Sequence, residues 1–116
     1  MAEIDKSKIA EFERGRAQLF GISQQKQQLQ IQSMALKQAL EELEKTKEKR
    51  VYKAVGNILI QEDTVKVKKE LEEKKTSTDL RLKTMQKQED SLINRLNKLK
   101  SEFESGAKKA EKEDKK

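Results

Sequence analysis

Charged side chains are the main residues of this chain that could carry acid–base chemistry, because its 116 residues include neither histidine nor cysteine. Disulfides, thiolate nucleophiles, imidazole bases and the common zinc ligand sets are therefore excluded. Lys26 and Lys75 are notable because they fall at apolar positions of a helical repeat. A lysine at such a position more simply lays its aliphatic stem along the seam and keeps its ammonium in water. We predict no enzyme activity, no metal site and no cofactor.

The apolar residues between positions 51 and 60 offer a different chemistry, which is contact with other polypeptides. The segment is rich in β-branched residues, and Gly56-Asn57 is typical of a two-residue turn, so it predicts a β-hairpin. A lone hairpin is marginally stable in water, and strand alternation places apolar side chains on both of its faces. We therefore expect several chains to pool their hairpins. The predicted assembly residues are Val51, Tyr52, Val55, Gly56, Ile58, Leu59 and Ile60.

Two long helices with a heptad pattern are predicted on either side of this hairpin. The first spans about residues 6–50, with apolar seam positions from Phe12 to Leu43, and the second spans about residues 63–105, from Leu71 to Phe103. Helices of matched length joined by a short hairpin predict an antiparallel coiled coil with both chain ends at one tip. The pattern leaves the pairing register open, because a shift of seven residues preserves it. Polar seam residues are interpreted as register determinants, and the Thr76–Thr78 segment permits a local break.

These elements define a mainly α fold, in which a long antiparallel two-helix coiled coil has one β-hairpin between its helices, at about residues 51–61. Residues 1–105 form the predicted domain. Residues 106–116 contain five lysines and three acidic residues and are predicted to be a disordered charged tail.

The motifs of this layout resemble the archaeal β-type subunits of the prefoldin family. The most specific match is the hairpin, with Val51-Tyr52-Lys53 followed by Gly56-Asn57-Ile58-Leu59-Ile60. The glutamine-rich segment 24–29, the Leu-Glu-Glu-Leu segment 40–43 and the segment 81–89 are also similar. The resemblance covers roughly residues 8–104.

The resemblance implies a fold, a set of partners and an activity. In this family, α-type chains carry two hairpins and β-type chains carry one, and residues 50–63 leave room for one. A β-type chain is expected to assemble as four copies with two α-type subunits, and the hairpins of this hexamer form a β-barrel platform. The family binds non-native polypeptides without ATP and delivers them to a group II chaperonin.

Client binding is expected at the distal tips of the coiled coils, where the seam residues near the helix ends become reachable by fraying. A second apolar stripe off the seam recurs every eleven residues, and it includes a flexible methionine that suits non-specific contact. Scattered surface hydrophobics are also normal, so both interpretations of this stripe stay open. The predicted client-binding residues are Ile4, Ile9, Phe12, Leu19, Phe20, Ile31, Met34, Leu99 and Phe103.

The overall charge and hydropathy exclude other classes of function. The net charge of +6 is spread over helices with interleaved signs, and the aromatic residues are not interleaved with basic clusters, so we expect no nucleic-acid binding. No apolar run exceeds three residues, so neither a membrane span nor a signal peptide is expected, and we predict a cytoplasmic protein. The alternatives are a coiled-coil adaptor or spacer without chaperone activity, and a basic nucleic-acid binder that depends on the lysine-rich tail.

Overall fold

The structure is a computed structural model that describes residues 6–114, with side chains for residues 6–105. Helix α1 spans Lys6–Lys45, strand β1 spans Arg50–Val55, strand β2 spans Ile58–Asp63 and helix α2 spans Thr64–Asp114. The predicted mainly α fold, with one hairpin between two helices, is confirmed. The described residues divide into two compact units. The terminal unit comprises the described parts of Met1–Lys26 and Met85–Lys116, and the hairpin unit comprises Gln27–Thr84.

In the terminal unit, α1 and α2 pack antiparallel along an apolar seam. The ring of Phe12 meets that of Phe103 edge-on, with 5.6 Å between their centroids, and Leu96 and Leu99 are buried. Gly15 allows a close approach of the helices at this seam, because a Cβ atom built on it would lie 2.8 Å from Cδ2 of Leu96. We therefore interpret Gly15 as a packing residue of the seam.

In the hairpin unit, the same two helices bury a second stretch of seam. Leu29, Leu36 and Thr78 are buried at predicted seam positions, and Val67 of α2 is also buried although it lies off the predicted repeat. Within α1 and α2, all the predicted seam positions are buried or half-buried. The heptad pattern therefore identified which face of each helix is covered.

The hairpin is a two-stranded antiparallel sheet in which Val55 pairs with Ile58 and Arg50 with Asp63. Gly56 has a φ of 59°, a left-handed conformation that glycine adopts without steric cost, whereas no non-glycine residue in the described chain has a positive φ. A two-residue loop with positive φ at its first position is the type II′ turn, whose twist matches that of paired strands. The predicted turn at Gly56-Asn57 is confirmed.

The two junctions between the helices and the hairpin are built differently. Helix α2 begins at Thr64, directly after β2, which confirms a predicted start at residue 63 or 64. The hydroxyl of Thr64 donates to the carbonyl of Glu48 at 2.7 Å, and its backbone N–H donates to the carbonyl of Lys49 at 2.9 Å. At the other junction, residues 46–49 separate α1 from β1.

The predicted end of the first helix at residue 50 is wrong, since α1 ends at Lys45 and the strand already includes Arg50. Arg50 falls on a heptad position, but its backbone pairs with that of Asp63 in the β-hairpin. The hydroxyl of Thr46 also accepts a hydrogen bond from the N–H of Glu48 at 3.2 Å, a local contact that competes with helix. Helix formation therefore stops before the heptad pattern does.

Helix α2 continues past the predicted end at residue 105 to Asp114, over the segment for which the sequence predicts a disordered tail. Gly106 lowers helix propensity by about 1 kcal/mol relative to alanine, but the alanine, lysine and glutamate residues that follow it are strong helix formers. The segment at Thr76–Thr78 is also helical. The hydroxyls of Thr76 and Thr78 donate to the carbonyls of Glu72 and Lys74, which satisfies them within the helix.

Candidate functional site

The polar seam residue of interest in the terminal unit is Lys26, whose ammonium binds Glu89 at 2.9 Å. The hydroxyl of Ser23 donates to the other carboxylate oxygen of Glu89 at 2.8 Å. The hydrogen bond from Lys26, followed by that from Ser23, lowers the pKa of Glu89 below its ordinary value. This lysine is therefore held as an ion-paired ammonium, which fits a structural role in the seam.

An equivalent cluster lies in the hairpin unit around Asp79. Lys75 binds one carboxylate oxygen at 2.7 Å, and the hydroxyl of Ser33 donates to the other at 2.6 Å. The hydrogen bond from Lys75 is the main cause of the lowered pKa of Asp79, and that from Ser33 is the second. Each unit thus has a half-buried carboxylate on α2 that hydrogen-bonds to α1, and these contacts help to fix the register that the heptads left open.

Among the side chains described, those of residues 6–105, no group of three or more histidine, cysteine, aspartate or glutamate residues could hold a metal ion. Over residues 6–114, no helix is long and apolar enough to cross a membrane.

The predicted assembly residues lie together on the hairpin, and most of them are exposed. Tyr52 and Leu59 are each 69% exposed and Ile58 is 64% exposed, whereas Val51 is half-buried. Because the sheet has only two strands, each strand also has an edge of backbone groups with no partner strand among the described residues. The hairpin therefore offers apolar faces and open edges to other chains.

One carboxylate on β2 adds to this picture. Oε2 of Glu62 is shielded from solvent without a hydrogen-bond partner among the described residues. A shielded oxygen without a donor is costly.

The predicted client-binding residues divide into two groups. Those of the stripe off the seam are exposed, with Ile9 and Phe20 in the terminal unit and Ile31 and Met34 in the hairpin unit. Their exposure agrees with a surface role, while their contact with clients stays a prediction. Ile4 lies outside the described residues.

The seam members of the same prediction are packed rather than frayed. Leu99 is 7% exposed, and Phe12, Leu19 and Phe103 are half-buried. The guanidinium of Arg16 also lies 6.0 Å from the centre of the Phe12 ring, which is within the range of a cation–π contact. These four residues would have to leave the seam to contact a client fully.

The structure also exposes apolar features that the sequence analysis missed. Val65 is 80% exposed at the start of α2, and Leu80 is 59% exposed further along it. In the terminal unit, an open groove between α1 and α2 has a volume of about 600 Å³ beside Gly21. The signal for this groove was a glycine next to the seam residue Ile22, where a side chain would otherwise cover the helix flank.

A family model described as prefoldin subunit matches residues 6–110. This match covers most of the chain, including both helices' seams and the whole hairpin. The chain belongs to the prefoldin subunit family, whose members are chaperone subunits that assemble with one another.

Within this family, the similarity is to β-type chains. The prefoldin subunit beta of Archaeoglobus fulgidus is 42% identical over 75% of this chain and 76% of its own length. That of Thermococcus onnurineus is 37% identical over 78% of this chain and 79% of its own length. The crystal structure of the prefoldin beta subunit from Thermococcus strain KS-1 matches with a TM-score of 0.80 and 30% identity, over 90% of this chain and 96% of that one. The resemblance inferred from the hairpin motif is confirmed.

Proposed function

We propose that this chain is a cytoplasmic holdase subunit that binds non-native polypeptides without ATP and delivers them to a group II chaperonin. The observation that carries the proposal is the hairpin with exposed apolar residues on both faces and unpaired edges. A hairpin of this kind is unstable in water by itself and gains stability when neighbouring hairpins cover it.

The proposed assembly contains two α-type subunits and four copies of this chain, with the hairpins joined in a β-barrel platform. Barrel closure would pair the open edges of β1 and β2, which removes an aggregation hazard. Family membership supports assembly with other prefoldin subunits.

Clients would be held by several weak apolar contacts at once. Ile9 and Phe20 are available in the terminal unit without any rearrangement, because they lie off the packed seam. One such site offers little apolar area, but several sites in one assembly raise the effective concentration, and release then needs no nucleotide.

The test combines this chain with an α-type prefoldin subunit and measures light scattering while a denatured model protein is diluted into buffer without ATP. We expect the complex to suppress aggregation, and we expect the bound polypeptide to move to a group II chaperonin in a native-gel transfer assay. A complex that forms but leaves aggregation unchanged would contradict the holdase function and favour a coiled-coil spacer. Retained suppression without transfer would contradict only the delivery step.

A further inference from the structure

The groove beside Gly21 lies along the terminal unit and has an apolar lining. Ile22 from α1 and Leu92 from α2 supply that lining, and both are half-buried. A Cβ atom built on Gly21 meets nothing within 4 Å, so the position opens onto free space. A larger side chain at this position would therefore have room to extend into the groove that Gly21 lines.

The rim of the groove is polar and almost uncharged. It is formed by the amides of Gln18, Gln25 and Gln88, the hydroxyl of Ser91 and the single ammonium of Lys87. A glutamine amide has both a donor and an acceptor, which are the groups that pair with the N–H and C=O of a peptide main chain. No carboxylate lines the groove, so the charge at its rim disfavours a basic occupant.

The dimensions suit a short piece of extended chain. The seven steps from Gln18 to Gln25 rise about 10 Å along α1, the length of about three residues in a strand. An extended segment has free main-chain groups for the glutamine amides, whereas a helix has already paired its own. The occupant that fits is thus an extended polypeptide with an apolar side chain.

A neighbouring cavity on the same unit is smaller and has an ion pair in its lining. It has a volume of about 190 Å³, shares Gln18 and Leu92 with the groove, and is lined by both members of the ion pair between Glu11 and Arg95. None of the ion pairs found among residues 6–105 joins two residues that line the groove at Gly21. Of these two adjacent cavities, the groove at Gly21 therefore has the lining without an ion pair among residues 6–105.

We propose that the groove at Gly21 binds one apolar side chain of an extended, non-native polypeptide, whose main chain pairs with the glutamine rim. The inference rests on the proposed holdase function and gives it a defined site on the helix flank. The apolar side chain lies over Ile22 and Leu92, and Lys87 favours neutral or acidic segments over basic ones.

The test fills the groove with a side chain from the protein itself. In the complex with an α-type subunit, Gly21→Leu is compared with Ala17→Leu, which adds the same side chain at an exposed position outside the groove lining. The probe is fluorescently labelled, reduced and carboxymethylated α-lactalbumin, and the readout is its Kd by anisotropy. We expect Gly21→Leu to raise Kd roughly tenfold, the order expected for one apolar side chain left in water. We expect Ala17→Leu not to raise Kd.

Each result decides between the two levels of the proposal. Wild-type binding with an unchanged Kd for Gly21→Leu would overturn the groove and leave the holdase function standing. No binding of the probe by the wild-type complex would overturn the holdase function and the groove with it. An equal loss of binding in Ala17→Leu would also overturn the groove, because the effect would not depend on filling it.

A second measurement tests the proposal even if the Gly21→Leu variant fails to assemble. The chain has no cysteine, so Gln25→Cys and Ala17→Cys each provide its single thiol for a fluorescent label. We expect the unfolded probe to protect the label at position 25 from iodide quenching and to leave that at position 17 unprotected. The proposal would be overturned if the label at position 25 stays open to iodide when the probe is present. It would also be overturned if raising the concentration of the complex, without probe, protects that label. The second outcome would indicate another copy of the complex as the occupant.

Discussion

The terminal unit closes its apolar seam with its own residues, while the hairpin unit leaves much of its apolar surface open. In the terminal unit, Phe12 packs on Phe103, and Leu96 and Leu99 are buried. In the hairpin unit, Tyr52 and Leu59 are mostly exposed on a sheet of only two strands. Apolar residues at heptad spacing are satisfied within one chain, whereas apolar residues on both faces of a lone hairpin need other chains. The comparison separates residues that stabilise the subunit from residues that we propose assemble it.

The largest expected effect comes from placing charge on the hairpin. The double variant Val55→Asp and Ile58→Asp puts two carboxylates directly opposite each other, where like charges repel and cannot be buried by neighbours. We expect the complex with the α-type subunit to dissociate, with its mass falling in multi-angle light scattering while the helical circular dichroism remains.

Leu80→Asp serves as the matched control for that variant, because Leu80 is an exposed apolar residue of the same unit that lies outside the hairpin. We expect its complex to keep the wild-type mass. An unchanged mass for the double variant would break the comparison, since assembly would then not depend on the hairpin.

The next effect compares two glycines of the terminal unit. Gly15→Leu forces a side chain against Leu96 and should lower the free energy of unfolding by about 1–3 kcal/mol, the usual cost of overpacking. Gly21→Ala meets no atom and should raise it by about 0.5–1 kcal/mol through helix propensity. Urea denaturation of each variant complex, at one fixed protein concentration, measures both changes in the free energy of unfolding. Equal effects of the two substitutions would show that the seam is not closed at Gly15.

A smaller effect concerns the two carboxylate clusters, one in each unit, around Glu89 and Asp79. Because the pKa values of Glu89 and Asp79 are lowered on folding, their stabilising contribution is complete above their ordinary pKa values and is lost as pH falls through the lowered ones. We expect the melting temperature to decrease as pH falls below about 4.5. Glu89→Gln and Asp79→Asn should each be less stable than wild type at neutral pH and should each flatten this decrease.

Glu13→Gln is the control for the pH series, because Glu13 is an exposed carboxylate of α1. Its melting curve should follow that of the wild type at every pH. If Glu89→Gln retains the full pH dependence, the cluster in the terminal unit does not hold the register of the helices.

The smallest effect is expected at the ion pair between Lys53 and Glu70, which joins β1 to α2 at 3.2 Å. Both side chains are about two-fifths exposed, and exposed pairs contribute little because water and salt screen them. We expect Glu70→Gln to leave the melting temperature unchanged within error at 0.15 M salt. A clear loss would indicate that the hairpin is held on its helix by charge rather than by backbone pairing.

The sequence predicted much of the fold because local patterns carry it. Leucine spacing identified the buried faces around Leu29, Leu36 and Leu96, and a glycine followed by asparagine identified the turn. Val67 was missed because it is buried although it lies off the heptad positions from which the seam of α2 was predicted. The end of α1 was missed because Arg50 fits the heptad numbering while its backbone pairs in a strand.

The site was less predictable, because it depends on which residues of two helices face each other. A heptad pattern allows several registers, so the partners Lys26 and Glu89, or Phe12 and Phe103, could not be assigned from spacing alone. The exposure of Ile9 and Phe20 follows from the sequence pattern, because both lie off the seam. The groove at Gly21 required the structure, because a glycine beside the seam residue Ile22 does not by itself show that the helix flank is open.

The junction at Thr64 has a mechanical consequence. Since α2 begins at the residue after β2, and Thr64 is tied through two hydrogen bonds to the carbonyls of Glu48 and Lys49, any twist of the second strand is passed to the first turn of α2 without slack. Residues 46–49, which separate α1 from β1, are held at Glu48 and Lys49 by the same two hydrogen bonds, so α1 is connected to this turn indirectly. In an assembled platform, α2 would therefore act as the lever that the strands steer, and α1 would follow it.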